Sequence, residues 1–499
     1  MLVLDVGYRG MPAASLKGNI YELRRRYADL FQPLIGERFE GLRNIWQRKI
    51  SLKLKAPLMS FVLRDWEKLC PLRSDNFEGV VSFAQGGLAN AWGAGVFRFT
   101  SRDLEDFPVK ASELTPFYDE LTALMGVCGR NDDLAPYFET EAQLLPPIHL
   151  TRFASDLLHR YEQRHRYFRS RGITVGYPRL AVLTRNHNGR SAYQYENLEF
   201  FRPYDPAIYN PVFTLDSLIR EGSIRYEARQ LVLRYAEGPS GVEVLAKNVD
   251  DGRMTTFRAR RLVLAAGTLS TTKLVLQSNN DYDERLPILD NPMSLVPLFR
   301  VDKIGDALDS SEGSLAQLVV IYDGPGVSRN VQATLYSASG ALRSDILFDL
   351  PLSIKGNLCC AKYLAPAMGV LMVFHPGIVR KENYIRLAPD NTLEVNYECE
   401  PLGAIERRLI EAFRKIGYWG AAALCRFPPM GTALHYAGTL PMRATPGRYQ
   451  TYPNGRLFGT KGVYVVDGAC FPSLPAKNLT FTIMANAMRI ASNIRSDIG

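Results

Sequence analysis

Residues 431–442, GTALHYAGTLPM, and 454–491, NGRLFGTKGVYVVDGACFPSLPAKNLTFTIMANAMRIA, decide how this chain is read. Within them Gly462-Val463-Tyr464-Val465-Val466-Asp467-Gly468 gathers β-branched and aromatic residues and stops on an acid and a glycine, the pattern of a short buried strand. Asn478 opens Asn478-Leu479-Thr480-Phe481-Thr482-Ile483-Met484-Ala485-Asn486-Ala487-Met488, whose spacing predicts a helix with Met484 and Met488 on its core face. His435 stands alone in an H-x-x-G-T turn upstream. Its side chain titrates near neutrality, which suits a general base, or it is a hydrogen-bonded structural histidine. An N-cap would by itself explain Asn478.

Three further segments extend the pattern. Gln85-Gly86-Gly87-Leu88-Ala89-Asn90-Ala91-Trp92-Gly93-Ala94-Gly95 is a glycine-rich loop, and residues 101–129 read SRDLEDFPVKASELTPFYDELTALMGVCG. Arg261-Leu262-Val263-Leu264-Ala265-Ala266-Gly267-Thr268-Leu269-Ser270-Thr271 reads strand, turn, helix. In this order the four segments resemble the glucose–methanol–choline (GMC) flavoprotein oxidoreductases. The first is similar to that family's GG-x-S-x-x-WGG loop. The second is similar to its "WP, L-x-P-Y-Y, GV-G" run, with Phe107 for the Trp and Phe117 for the first Tyr. The third is similar to its "VVLAAGALETPRLLL", and the C-terminal stretch to its histidine followed by asparagine or histidine at the flavin. Any one segment alone is weak; four in order are specific.

The resemblance implies FAD as cofactor and a two-part α/β architecture, an FAD-binding Rossmann-like domain interleaved with an α+β substrate domain on an antiparallel sheet. It implies that His435 takes the hydroxyl proton of an alcohol, that Asn478 orients the oxygen, and that the hydride goes to the flavin N5. A cofactor is needed in any case, because side chains are poor hydride acceptors. Implied cofactor contacts are Asp5, Gly86, Gly87, Asn90, Trp92, Gly93, Val232, Ala266, Gly267, Asp467, Gly468, Asn478 and Thr480. Each has a plainer reading: Asp467-Gly468 as a turn, Trp92 as core packing, Asp5 as a strand-end acid. A helix N-terminus beside Asn478 would favour negative charge on a reduced ring. His375, in Phe374-His375-Pro376, is read as structural.

Met1-Leu2-Val3-Leu4-Asp5-Val6-Gly7 resembles the family's second strand, with Asp5 as the acid holding the adenosine ribose. The strand, G-x-G-x-x-G turn and helix that normally precede it are not in the sequence. Gly86-Gly87 lacks the spacing, and Gly93-Ala94-Gly95 has no third glycine. The expectation is an incomplete reading frame, with about 30 further residues encoded upstream, enough for that strand, turn and helix.

At 499 residues and 46% apolar composition the chain can bury sizeable cores. It contains no run of about 18 apolar residues and no signal-peptide pattern. The seven cysteines, Cys70, Cys128, Cys359, Cys360, Cys399, Cys425 and Cys470, form no C-x-x-C and suggest a reducing cytoplasm. Six scattered histidines argue against a metal site. The net charge of +9 is spread out, densest at Arg24-Arg25-Arg26. Ile20, Leu23, Tyr27, Leu30 and Phe31 share helical spacing there. That segment is either a core-packed helix with a solvated basic face or a face for anionic lipid or an acidic carrier-linked substrate. No nucleic-acid motif is present.

The domain reading is FAD-binding for 1–16, 79–127, 205–295 and 431–499, a helical basic insert or lid for 17–78, and substrate-binding for 128–204 and 296–430. Strands are expected at SLAQLVVIYDG, NVQATLYS, MGVLMVFHPG and NTLEVNYECE, all in one antiparallel substrate-side sheet, followed by a helix in PLGAIERRLIEAFRKIGYWGAAAL. Some relatives carry a C-G-x-C-x-x-G-C stretch where this chain reads SAYQYENLEFFRPYDPAIYNPVFTLDSL without a cysteine. The expected partner is a small alcohol, free or linked to a sugar or lipid, with a quinone or dye favoured over dioxygen as acceptor. The competing reading is a non-catalytic scaffold of the same fold.

Overall fold

The computed structural model describes residues 1–10, 22, 23, 25, 36, 37, 52–196, 202–307, 313–338 and 352–496. Arg24 and Arg26 of the basic cluster lie outside the described residues, with most of 11–51. No helix among the described residues is long and apolar enough to cross a membrane.

Two short parallel pairs carry the segments that resemble a nucleotide-binding unit. β1 (Leu2–Leu4) pairs with β4 (Arg225–Glu227), and β8 (Leu262–Leu264) with β16 (Val463–Val465). Parallel neighbours need long crossovers, and each pair joins segments about 200 residues apart. All of β16 is buried, as an unbroken Val-Tyr-Val run requires. After β8 the chain turns at Ala265-Ala266-Gly267 into the helix Thr268–Ser278. After β4 comes an antiparallel meander of β5 (Gln230–Gly238), β6 (Gly241–Asn248) and β7 (Met254–Ala259), with a bulge between Val232 and Arg234.

The substrate-side sheet is antiparallel, in the order β10 (Met293–Phe299), β13 (Met368–Phe374), β12 (Val331–Ser337), β11 (Leu318–Tyr322), β3 (Ile173–Gly176). Side chains alternate between its faces. Leu318, Val320 and Tyr322 join a core with the helices Arg152–Gln163 and Ala404–Arg414, while Val319 and Ile321 meet Phe97 and Phe138. The helix Ala404–Arg414 buries Ile405, Leu409, Ile410, Ala412 and Phe413 on one stripe, and Glu406 closes its first turn by accepting from Gly403 N at 2.7 Å.

One expectation is corrected. NTLEVNYECE does form a strand, β15 (Leu393–Asn396), but in a separate sheet with β14 (Tyr384–Leu387), β9 (Leu286–Pro287) and β2 (Leu72–Arg73). Alternation identifies a strand with one buried face and says nothing about its neighbour. The largest buried cluster also crosses the expected divisions, joining Trp66 and Cys70 to Cys128, Leu180, Ile385 and Val465.

The two halves meet where the C-terminal segment returns. Leu289 and Ala437 exchange backbone hydrogen bonds at 2.8 and 3.0 Å, and Gly377 N donates to Leu474 O at 2.9 Å. These contacts hold the loop of His435 and the approach to Asn478 against the end of β13.

Phe413, fully buried and in ring contact with Phe168, anchors the helix to the five-stranded sheet. Phe413→Ala should cost about 3–5 kcal/mol in chemical denaturation, whereas exposed Val379→Ala should change stability by less than about 0.5 kcal/mol.

Candidate active site

His435 is held by a loop that has little freedom. Gly431 takes a left-handed φ of +86°, and a Cβ there would lie 2.8 Å from the main chain of Glu78 and Gly79. Gly431 N donates to Asp290 Oδ2 at 2.6 Å, and the Tyr436 hydroxyl donates to Gly431 O at 2.8 Å. Leu434, directly before the histidine, also has positive φ, an uncommon conformation for a bulky side chain that a packed surrounding must enforce. The imidazole is 9% exposed. Its Nδ1 lies 3.0 Å from Asn291 Oδ1, its Nε2 3.4 Å from Asn478 Nδ2, and the Phe374 ring packs at 5.0 Å between centroids. Burial drives its pKa down to about 4, so the ring is neutral across the physiological range.

Asn478 sits two residues before the helix Thr480–Ser496. Its neighbour Lys477 is fully buried and anchors the approach, donating to Tyr137 O at 2.6 Å, to Arg98 O at 3.2 Å and to Asp103 Oδ2. Burial pushes the Lys477 pKa down, and the Asp103 carboxylate opposes the shift. Gly95 allows the loop to approach, since a Cβ there would stand 3.0 Å from Asn478 Oδ1. His435 and Asn478 thus meet, although 43 positions apart in sequence.

The remaining expected contacts fall into groups. In the loop after Gln85, Asn90 Nδ2 donates to Gln85 O and Gly87 O, and Asn210 Nδ2 donates to Asn90 Oδ1, so the Asn90 amide shapes the turn. Trp92 is half-buried and donates from Nε1 to Tyr209 O at 3.0 Å. Gly86 packs near Asn210 and Val212, Gly87 has open space where a Cβ would be, and a Cβ on Gly93 would lie 3.4 Å from the Tyr336 hydroxyl.

At the end of β8, Asp467 is a clamp. Its Oδ2 accepts from Gly267 N at 3.0 Å and Thr271 Oγ1 at 2.5 Å, and its Oδ1 accepts from Ala469 N at 3.0 Å. Burial raises its pKa against those three donors. The carboxylate fixes the turn and leaves Ala265, Ala266 and Gly267 exposed at the carboxyl end of the strand. Gly468 permits the close packing, since a Cβ would meet Thr268 Oγ1 at 2.8 Å. Asp5 ends β1 and accepts from the Tyr226 hydroxyl at 2.9 Å; burial pushes its carboxyl up to about 6. Val232 packs against the main core at the β5 bulge, and Thr480 opens the C-terminal helix half-buried.

These surroundings fit FAD. In parallel α/β units ligands bind beyond the carboxyl ends of strands, where the exposed Ala265-Ala266-Gly267 turn lies. Open space faces Gly267 and Gly87, and among the described residues the buried Gln85 Oε1 has no hydrogen-bond partner. Orphaned buried polar atoms beside open backbone are what a polar ligand would satisfy.

Residues 421–487 match the family model described as GMC oxidoreductase. Paromamine 6'-oxidase from Streptomyces fradiae is 24% identical over 479 residues, spanning 86% of this chain and 80% of its own. Pyridoxine 4-oxidase from Mesorbium loti superposes with a TM-score of 0.56 at 14% identity, over 84% of this chain and 85% of that one. An FAD-dependent oxidoreductase from Chaetomium thermophilum gives 0.54 at 13%, over 84% and 87%. The fold is therefore the α/β fold with antiparallel sheets seen in these oxidoreductases. These likenesses support a GMC-type oxidoreductase, with the family model matched at residues 421–487.

Sequence reading missed Asp290, Asn291 and Lys477. Asp290-Asn291-Pro292 has the composition of an ordinary turn, and a lysine reads as surface. Asp290 is fully buried, and desolvation pushes its carboxyl up to about 7. A raised carboxyl pKa means the folded protein keeps a proton that the unfolded chain releases. Its contribution to stability is complete below about pH 4 and is lost as pH rises to about 7. Asp290→Asn removes this dependence, so its urea midpoint relative to the parent should climb between about pH 4 and 7 and level off above. A constant difference across that range would contradict the assignment.

Proposed function

We propose that this chain oxidises a CH–OH group of a small alcohol, using FAD. The observation that carries the reading is the neutral, desolvated imidazole of His435, with Nε2 directed at the Asn478 amide 3.4 Å away. A hydroxyl placed beside both groups would give its proton to Nε2 while the amide of Asn478 holds the oxygen. Bound FAD supplies the two-electron acceptor for the hydride that leaves the carbinol carbon. The hydroxyl loses its proton, the carbon loses its hydride, and a carbonyl results.

The residues divide the work. Burial keeps His435 deprotonated at pH above about 4, so Nε2 carries no proton before substrate arrives. Phe374 covers one face of the ring and excludes water. Lys477 and Gly95 set where the Asn478 amide stands. The ring side of FAD would be held by the loop from Gly86 to Gly93 and by the Ala266-Gly267 turn, and its ribose by Asp5. Paromamine and pyridoxine, the compounds named in the relatives, are the first alcohols to try. Dioxygen and a quinone-type dye should be compared as acceptors, since both relatives carry oxidase names.

His435→Gln should keep its flavin absorbance and lose about 10²–10⁴-fold in the rate at which an alcohol bleaches that absorbance, the typical effect of removing a general base. A flavin-loaded variant reduced at close to the parent rate would remove His435 from the chemistry.

A further inference from the structure

Asn291 is fully buried, and its side-chain amide makes three contacts. Nδ2 lies 2.8 Å from His375 O and 3.1 Å from Pro475 O, and Oδ1 lies 3.0 Å from His435 Nδ1. A main-chain carbonyl can only accept, so the side of the amide facing two carbonyls must be the NH₂ group. The orientation of Asn291 is therefore decided by chemistry, although an amide's oxygen and nitrogen are otherwise hard to tell apart. Its oxygen then faces the imidazole. Two lone pairs 3.0 Å apart repel, so Nδ1 must carry a hydrogen. A neutral imidazole has one N–H, which leaves Nε2 bare. The far side of the ring agrees: Nε2 faces the Asn478 amide, which supplies a donor there.

We infer that Asn291 is a positioning residue that locks His435 in the Nδ1–H tautomer and so keeps Nε2 as the proton acceptor. The inference rests on the base assignment above for its functional meaning, but the tautomer itself follows from the hydrogen bonds alone. Which ring nitrogen is protonated is set by the bond the other one makes. Asn291 makes that bond and ties it to two carbonyls. One belongs to the residue after β13, the other to the segment leading into Asn478. A single amide therefore fixes the base, its tautomer and the approach of the oxygen-holding residue. When Nε2 takes the proton, Asn291 Oδ1 still accepts from Nδ1 and stabilises the charged ring, and no second proton has to move.

Among the described residues, the titratable groups packed around this arrangement include Tyr397, which bonds the Asp290 main chain, and Tyr436, which bonds Gly431 O. Asp290 precedes Asn291 and bonds Gly431 N. His375 is paired with Glu406 at 2.9 Å, and Glu406 also accepts from Ser294 Oγ at 2.6 Å. Lys477 is engaged by Asp103. Among the described residues, Asn291 is the hydrogen-bond partner of Nδ1.

The test begins with the parent chain. Uniformly ¹⁵N-histidine-labelled full-length protein is examined at pH 7 by solid-state NMR, and His435 is assigned as the signal lost in His435→Gln. The inference requires a protonated-type Nδ1 and an unprotonated-type Nε2; the reverse pattern overturns it. This readout needs no substrate, so it stands apart from whether an alcohol is oxidised, which is judged by flavin bleaching. The second arm is Asn291→Asp, which places a carboxylate against the Nδ1–H. A neighbouring negative charge should move the acid limb of the bleaching rate upward by about one to three pH units. A folded, flavin-loaded variant with the parent's pH profile would show that Asn291 only packs, and would overturn the inference.

Discussion

A chain segment that runs through a protein interior must pair every polar group it carries, because an unpaired one costs about 1–3 kcal/mol. The return from Gly431 to Asn478 is such a segment, and this constraint organises the site. Three side chains fasten it. Asp290 holds Gly431, Asn291 holds His435 and Pro475, and Asp467 holds the turn at Gly267. None of the three is exposed. The functional geometry is therefore a consequence of polar satisfaction in the core, with the sheets as the frame.

Charge burial near Asn478 follows the same logic. Lys477 reaches Arg98 O, and Arg98 and Arg179 both lean on Glu141 at 3.2 Å. Buried ion pairs of this kind contribute little net stability, since desolvation offsets attraction, but removing one partner leaves an uncompensated charge. Their effect here is geometric: a buried ammonium with three acceptors permits few positions for the residue that follows it.

Much of the frame was legible in the chain. The strands β11, β12 and β13 and the helix Ala404–Arg414 follow from alternation and 3.6-residue spacing, since each buries one face. The buried strand at Val463–Val465 announced itself by its unbroken apolar run. The partner of β15 was not legible, because strand periodicity carries no information about which edge a strand joins. The polar atoms of Asn90 and Asp467 turned out to bind the protein itself, a role that residue type alone does not separate from ligand contact.

The sequence by itself carried the ordered motifs of the family resemblance, the pairing of a lone histidine with a later asparagine, and most elements of the substrate-side sheet. Those follow from local pattern and ordered motifs, which need no knowledge of distant contacts. Only the tertiary structure decided that an asparagine in an ordinary-looking turn lies against that histidine. Only it decided that a lysine beside Asn478 is buried and that the imidazole is desolvated enough to stay neutral. Hydrogen-bond partners and solvent exclusion are set by residues 100 to 400 positions away, and no local periodicity encodes them.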